Sequence, residues 1–183
     1  MARTYSMRGV LGAAERAVQL ARAYLDARAP GSRVHDVQGD PRFQHRGVDL
    51  LWEAEGRVLG VEVKGDRQAR RGTYFWEVIS NLEKQTPGCF LYSEADALVY
   101  VFLGPNEVHH LPLAATRAWF LAQPSGSFPV KHTHTRIGQE RYTTVGTVVP
   151  VERVLAEVEG AVRFRVDGDS VLPLPPGRLR RTA

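Results

Sequence analysis

The segment GVDLLWEAEGRVLGVEVKGD, residues 47–66, carries three charges whose types and spacing suit phosphate chemistry. Asp49 opens one apolar-rich run, and Glu62 and Lys64 stand on the next, with Glu62 thirteen positions after Asp49. Both runs read as β-strands. Glu55-Gly56 suits the two central positions of the connecting turn, because glycine tolerates positive φ. In that register Asp49 faces Glu62, and Gly47 faces Lys64. Side chains alternate along a strand, so Glu62 and Lys64 share a face with Asp49. The opposite face collects Val48, Leu50, Trp52, Leu59, Val61 and Val63, an apolar surface for helices to cover.

Two carboxylates opposed across a ladder, with Cβ atoms about 4.5–5.5 Å apart, repel each other, and desolvation sharpens the repulsion. A hard cation, Mg²⁺ or Mn²⁺, relieves it by taking the two carboxylates together with water and a substrate phosphate. Lys64 then supplies positive charge to orient or deprotonate a water, or to stabilise charge developing on the phosphate. Gly60, on the same face, leaves room beside the carboxylates. The same spacing also suits solvated charges near strand ends, and a one-residue slip would take Asp49 out of opposition.

These strands need a scaffold. Residues 8–28 carry Val10, Ala14, Ala17, Ala21 and Leu25 at helical spacing, and Pro30-Gly31 ends that helix. A short strand is expected at Val34–Val37, then the hairpin, then a third strand over TYFWEVI, residues 73–79. A polar loop follows, then a buried strand at 97–103 and a short one at 107–111. A helix opens at Pro112 and runs to about Gln123, before PSGSFP. A strand at 141–149 and a helix near 150–159 complete the order. The fold class expected is α/β, with a mixed central sheet flanked by helices.

The chain has 183 residues, 43% of them hydrophobic and 24% charged, which suits a single domain over residues 1–172. The Pro-rich basic stretch 173–183 reads as a mobile tail. The single cysteine, Cys89, excludes a disulfide framework and a cysteine-based zinc site, so a reducing cytoplasm is expected. No apolar run is long enough to span a membrane, and the N-terminus has no signal-peptide pattern. The net charge of +4 agrees with a nucleic-acid partner without requiring one.

Asp49 followed by Glu62-Val63-Lys64, with a helix upstream, resembles the signature of the PD-(D/E)XK nuclease superfamily. Its core is helix, three antiparallel strands, helix, strand. Here GVD stands in place of the literal PD. EVKGDRQARRGTYFWEVISN, then SEADALVYVF, resembles small endonucleases of phages and mobile elements, and YTTVGTVVPVERVL resembles their C-terminal strand and helix. The resemblance implies a restriction-endonuclease-like core. It implies Asp49 and Glu62 as metal ligands, with the Val63 carbonyl completing the shell, and Lys64 as the catalytic lysine. Glu15 matches the acidic residue of the first helix, although a solvated helix face accounts for it equally. Glu77, among aromatic and β-branched neighbours, would support the site or bind a second metal, unless it faces water.

Arg67, Arg70 and Arg71 follow Lys64 and are placed to meet DNA phosphates. Lys131, Arg136 and Arg141 form a second basic stretch, and the Arg178–Arg181 tail a third; both would add salt-sensitive affinity. His132 and His134 share a side if extended but lack further zinc ligands in sequence. His109 and His110 read as structural, and His45 and Gln44 could border the metal. Tyr74, Phe75 and Trp76 read as core, and Cys89 as inert.

The function expected is a Mg²⁺- or Mn²⁺-dependent DNA endonuclease acting by in-line attack of a metal-bound water. It would be structure-selective, like a Holliday-junction resolvase, or restriction-like, working in a phage-infected or bacterial host cell. A homodimer would supply two active sites for two-strand cleavage. The alternative is a non-catalytic DNA-binding or assembly protein that keeps the fold. A purely structural α/β protein leaves the carboxylate pair unexplained.

Overall fold

A computed structural model describes residues 7–67, 72–137 and 140–175. Helix α1 (Met7–Arg28) is followed by β1 (Arg33–Asp36), the single turn α2 (Pro41–Gln44), β2 (Leu50–Ala54) and β3 (Arg57–Asp66). The β2–β3 ladder pairs Leu50 with Val61, Trp52 with Leu59 and Ala54 with Arg57, the register expected for a Glu55-Gly56 turn. Both turn residues have positive φ, 52° at Glu55 and 74° at Gly56, which matches the twist of a two-residue hairpin.

Next come β4 (Thr73–Asn81), β5 (Thr86–Pro87), the turn α3 (Cys89–Tyr92), β6 (Ala97–Phe102) and β7 (Glu107–Pro112). Helix α4 (Leu113–Leu121), β8 (Val130–Ile137), β9 (Glu140–Pro150), α5 (Val151–Glu157), β10 (Val162–Asp167) and β11 (Ser170–Pro173) complete the described chain. Among the described residues the strands form a mixed seven-stranded sheet, β1-β2-β3-β6-β7-β10-β11, and a second sheet, β5-β4-β9-β8. In the first, β6 runs parallel to β3 while the remaining neighbours are antiparallel. The protein is thus mixed α/β, with a central sheet flanked by helices.

Apolar clusters cover both faces of the central sheet. On one, Ala17, Leu20, Ala21, Tyr24 and Leu25 of α1 pack on Leu50, Val61, Val99 and Val101. On the other, Leu98, Tyr100, Phe102 and Leu111 meet Tyr74 and Trp76 of β4, Phe90 of α3, and Val154 and Leu155 of α5. Trp76 stacks on Phe90 with ring centroids 4.3 Å apart.

Three expectations need correction. The strand over TYFWEVI exists, but it pairs with β9 in the second sheet, and β1 is the third antiparallel strand beside the hairpin. Val48 packs with Tyr74 and Phe90, on the face opposite Leu50, because alternation breaks where the ladder ends. Residue 173, expected to open the tail, is still part of a strand. Pro173 pairs with Phe164 on edge strand β11, where a missing N–H is tolerated, and Leu174 still donates its N–H to the Arg163 carbonyl at 2.9 Å. Residues 176–183, which hold Arg178–Arg181, lie outside the described residues.

Candidate active site

The hairpin ladder ends at Leu50–Val61, yet Asp49 stays attached to β3. Its N–H donates to the Val61 carbonyl at 2.9 Å, and its carboxylate Oδ2 accepts the Val63 N–H at 2.7 Å. The side chain so takes the place of a ladder acceptor, and this holds the carboxylate against β3. Asp49 alternates with Leu50 in the ordinary way and so keeps to the Glu62 side of the strand, and only Val48 departs from the pattern. Glu62, Lys64 and Asp66 stand beside Leu98, Tyr100 and Phe102 in the parallel register, on the face turned toward β4.

The electrostatics show how closely these groups are gathered. Burial pushes the Glu62 carboxyl up to about 8, and the Asp49 charge pushes in the same direction. Burial also raises Asp49, against the Val63 N–H and the Lys64 charge, which favour its ionised form. Burial works against the Lys64 ammonium, but Glu77, Cys89 and Glu62 around it hold its pKa above the ordinary lysine value. Lys64 Nζ donates to Glu77 Oε1 at 2.5 Å, and both side chains are largely shielded, 29% and 21% exposed.

Glu77 reaches Lys64 because β4 meets the central sheet at this point. The Phe75 N–H donates to Tyr100 Oη at 3.1 Å, and Tyr100 donates to Asp66 Oδ2 at 2.8 Å. These bonds tie β4 to β6 and β3 beside the carboxylates. Gly88 permits a further close approach, since a Cβ there would lie 2.1 Å from the Glu77 carbonyl oxygen. The pocket over the group is lined by Glu62, Lys64, Phe75, Glu77, Cys89 and Tyr100 among others.

Several participants carry no sequence signal. Cys89, read as inert, lines the pocket beside Glu62 and Lys64, and burial pushes its thiol up to about 12. That shift disfavours the reactive thiolate. The Gln38 side chain supports Asp49, and Asp36 adds negative charge nearby. Tyr92, 40% exposed, senses Glu62, Cys89 and Asp49 at the rim. Asp36 and Gln38 arrive with β1, the strand paired to the hairpin, whereas Cys89 and Tyr92 come from the distant α3 and are brought in only by packing.

The other expected residues divide. Glu15 is exposed on α1, two positions from buried Ala17 and so on the far side of the helix. Helix α1 itself covers the opposite face of the sheet from Glu62 and Lys64, and the structure leaves Glu15 out of the group. Val63 sends its N–H to Asp49 and its side chain toward the α1 face. Gly60 is less open than expected, with the Val48 methyls 3.4 Å from where a Cβ would stand.

Arg67 lies just past β3, while Arg70 and Arg71 lie outside the described residues. Lys131 is exposed on β8 in register with Gly146, itself in register with Glu77. Arg141 is exposed on β9, and Arg136 is its ladder partner. Odd and even positions alternate here, so Lys131 points to one face of the sheet and Arg141 to the other. His132 and His134 do share a side, with His134 Nδ1 at 3.2 Å from Thr143 Oγ1. Gln44 binds the Gln38 carbonyl, and exposed His45 ends the α2 turn.

Among the described residues no group of three or more His, Cys, Asp or Glu side chains is gathered closely enough to hold a metal ion. The site therefore presents a pair of carboxylates, with Glu77 turned to the lysine. No helix among the described residues is long and apolar enough to cross a membrane. Searches for relatives give no identity to add to this geometry: no protein-family model, no curated protein and no solved structure matches the chain.

Proposed function

We propose that the protein is a divalent-metal-dependent DNA endonuclease with a restriction-endonuclease-like core, cutting at the Asp49–Glu62–Lys64 group. The observation that carries this reading is the half-buried carboxylate pair, with Glu62 pushed up to about 8 next to Asp49 and a lysine on the same face. A pair held at that cost is unfavourable without a counter-charge. The strand order lends support. Helix α1, antiparallel β1–β3, the turn α3, and then β6 parallel to β3 follow the order of the PD-(D/E)XK core, with β4 and β5 inserted before α3.

The donor set fits Mg²⁺ or Mn²⁺, which bind through one or two carboxylates plus water and phosphate oxygens. Asp49 and Glu62 would hold the ion, with the Val63 carbonyl as a further oxygen. When bound it would supply Lewis-acid stabilisation of the phosphate and of the attacking water. The chain's own residues do the rest. Lys64 stays cationic, and Glu77 occupies one of its three N–H donors, so the others are available to a phosphate oxygen. Glu77 also fixes the direction of the long Lys64 side chain, which removes rotamer freedom before substrate arrives. The Val63 N–H orients the Asp49 carboxylate.

The deciding experiment incubates the protein with plasmid, linear duplex, single-stranded and four-way-junction DNA in Mg²⁺, Mn²⁺ or EDTA. Asp49→Ala and Lys64→Ala are run alongside. Cleavage that needs the ion and disappears in both variants is the expected result. Cutting in EDTA, or full activity in either variant, would refute the mechanism. Tight binding without cutting under any condition would favour a DNA-binding or assembly protein.

A further inference from the structure

Strand β4 sends alternate side chains to two different places. Tyr74 and Trp76 are fully buried in the core, whereas Phe75 and Glu77 turn to the other face of the second sheet and are only half-buried. Phe75 therefore departs from its expected core role. The outer end of its ring occupies the space over Gly146 of β9, where an added Cβ would come within 2.3 Å of it. Two residues along β4, in the row Glu77–Gly146–Lys131, the same face continues to the sheet edge. Directly opposed residues share a face, so Lys131 stands on the Glu77 side, about 10 Å away across two strand spacings. Exposed Thr133 follows Lys131 on that side, and Val148 opposes Phe75. Residues 130–135 contain no acidic side chain, and the Glu77 charge is already matched by Lys64.

From this continuity we infer that the Phe75–Gly146–Lys131 face is the track for a single strand of DNA leading into the Lys64–Glu77 corner. The inference rests on the nuclease reading and adds to it where the substrate lies. Phe75, bordering the pocket, offers a π-face for one base next to the phosphate at Lys64, and stacking of this kind accepts any base. Gly146, lacking a Cβ, leaves the space that the ring occupies. Lys131 neutralises a backbone phosphate farther along, and the threonine beside it adds a hydroxyl donor. The face suits an unpaired strand, because a base inside a duplex has no free π-face for Phe75.

The test measures binding of a fluorescein-labelled single strand of about 20 nucleotides, a length that exceeds common single-strand site sizes. Anisotropy is read in EDTA, so that nothing is cut. Phe75→Leu, Lys131→Ala and Arg57→Ala are compared with the parent protein, each checked by circular dichroism. Arg57, at the hairpin turn, lies about 23 Å along β3 from Lys64 and serves as the remote control. Phe75→Leu is expected to weaken binding about tenfold. Lys131→Ala is expected to lower the slope of log affinity against log salt by about 0.7, and Arg57→Ala to change neither. Parent-like binding by both track variants, an equal loss with Arg57→Ala, or no binding by the parent protein overturns the track. Normal metal-dependent cutting alongside parent-like binding by both variants defeats the track alone. The expected losses in a protein that never cuts support the track and defeat the nuclease reading.

Discussion

Along β3, Val61 and Val63 turn toward α1, while Glu62 and Lys64 turn toward β4. The α1 side is an apolar contact, in which Leu50, Val61, Val99 and Val101 are fully buried against small and aliphatic helix residues. Its polar exception is His110, whose buried Nδ1 finds no partner and which burial pushes down to about 4. The β4 side mixes aromatic packing with charges and a chain of hydrogen bonds through Asp66, Tyr100 and the Phe75 N–H. The difference separates stability from function. One side gains from every group it buries, and the other keeps ionisable groups in places that cost stability without a counter-ion.

Removing the lysine should give the largest effect. Lys64→Ala should lower DNA cleavage by about 10²–10³-fold, roughly 3–4 kcal/mol of transition-state stabilisation, and should lower the thermal midpoint by a few degrees because Glu77 loses its partner. Steady-state cleavage and a melting curve measured together check this. A collapse of the fold instead would mean that Lys64 is a structural residue and that the two sides do not differ in kind. On the α1 side, Leu50→Ala should cost about 2–5 kcal/mol by cavity formation, read from urea unfolding, while the remaining folded protein keeps its cleavage rate.

Glu62→Gln should move the other way in stability. The Glu62 pKa is about 8 in the folded protein against an ordinary 4.5, so the unfolded chain gives up its proton first as pH rises. Stability therefore falls between those values, and the cost is fully present above about pH 8. Metal-free Glu62→Gln should be more stable than the parent at pH 8 by about 4 kcal/mol and equal to it at pH 4, and it should not cut DNA. A loss of stability at pH 8 would show that the carboxylate is a favourable structural group.

His110 shows the opposite linkage, with a folded pKa of about 4 below its ordinary 6.5. The unfolded chain binds the extra proton in that window, so this contribution is complete above pH 6.5 and is lost as pH falls toward 4. His110→Phe should flatten the acid limb of the stability profile by up to about 3 kcal/mol. Gly88→Ala sharpens the comparison from the site side. It should lower the melting midpoint by a few degrees, about 1–3 kcal/mol, because the Glu77 carbonyl must move away, and Lys64 with it.

Legibility in the sequence follows the range of the forces involved. The hairpin register was readable because Glu55-Gly56 and the alternation of apolar residues act within a few positions. Helix α1 and the buried β6 were readable from periodicity and an unbroken apolar run. Strand β8 was missed because KHTHTR is polar on both sides and gives no period-2 pattern, while the hairpin β10–β11 is short and ends in prolines. Glu15 matched a pattern by position, but helix phase places it opposite Ala17, and no local feature states which face a helix will bury.

By itself the sequence determined that Asp49, Glu62 and Lys64 come to one end of one hairpin, since a turn and alternating strands are enough to align them. Tertiary structure decided what surrounds them. It gave Lys64 to Glu77, placed Cys89 beside Glu62, turned Phe75 away from the core, and put β4 in a second sheet. Those choices depend on which strand edge and which face are left uncovered once the helices have packed. That is a property of the whole chain's burial and not of any short stretch within it.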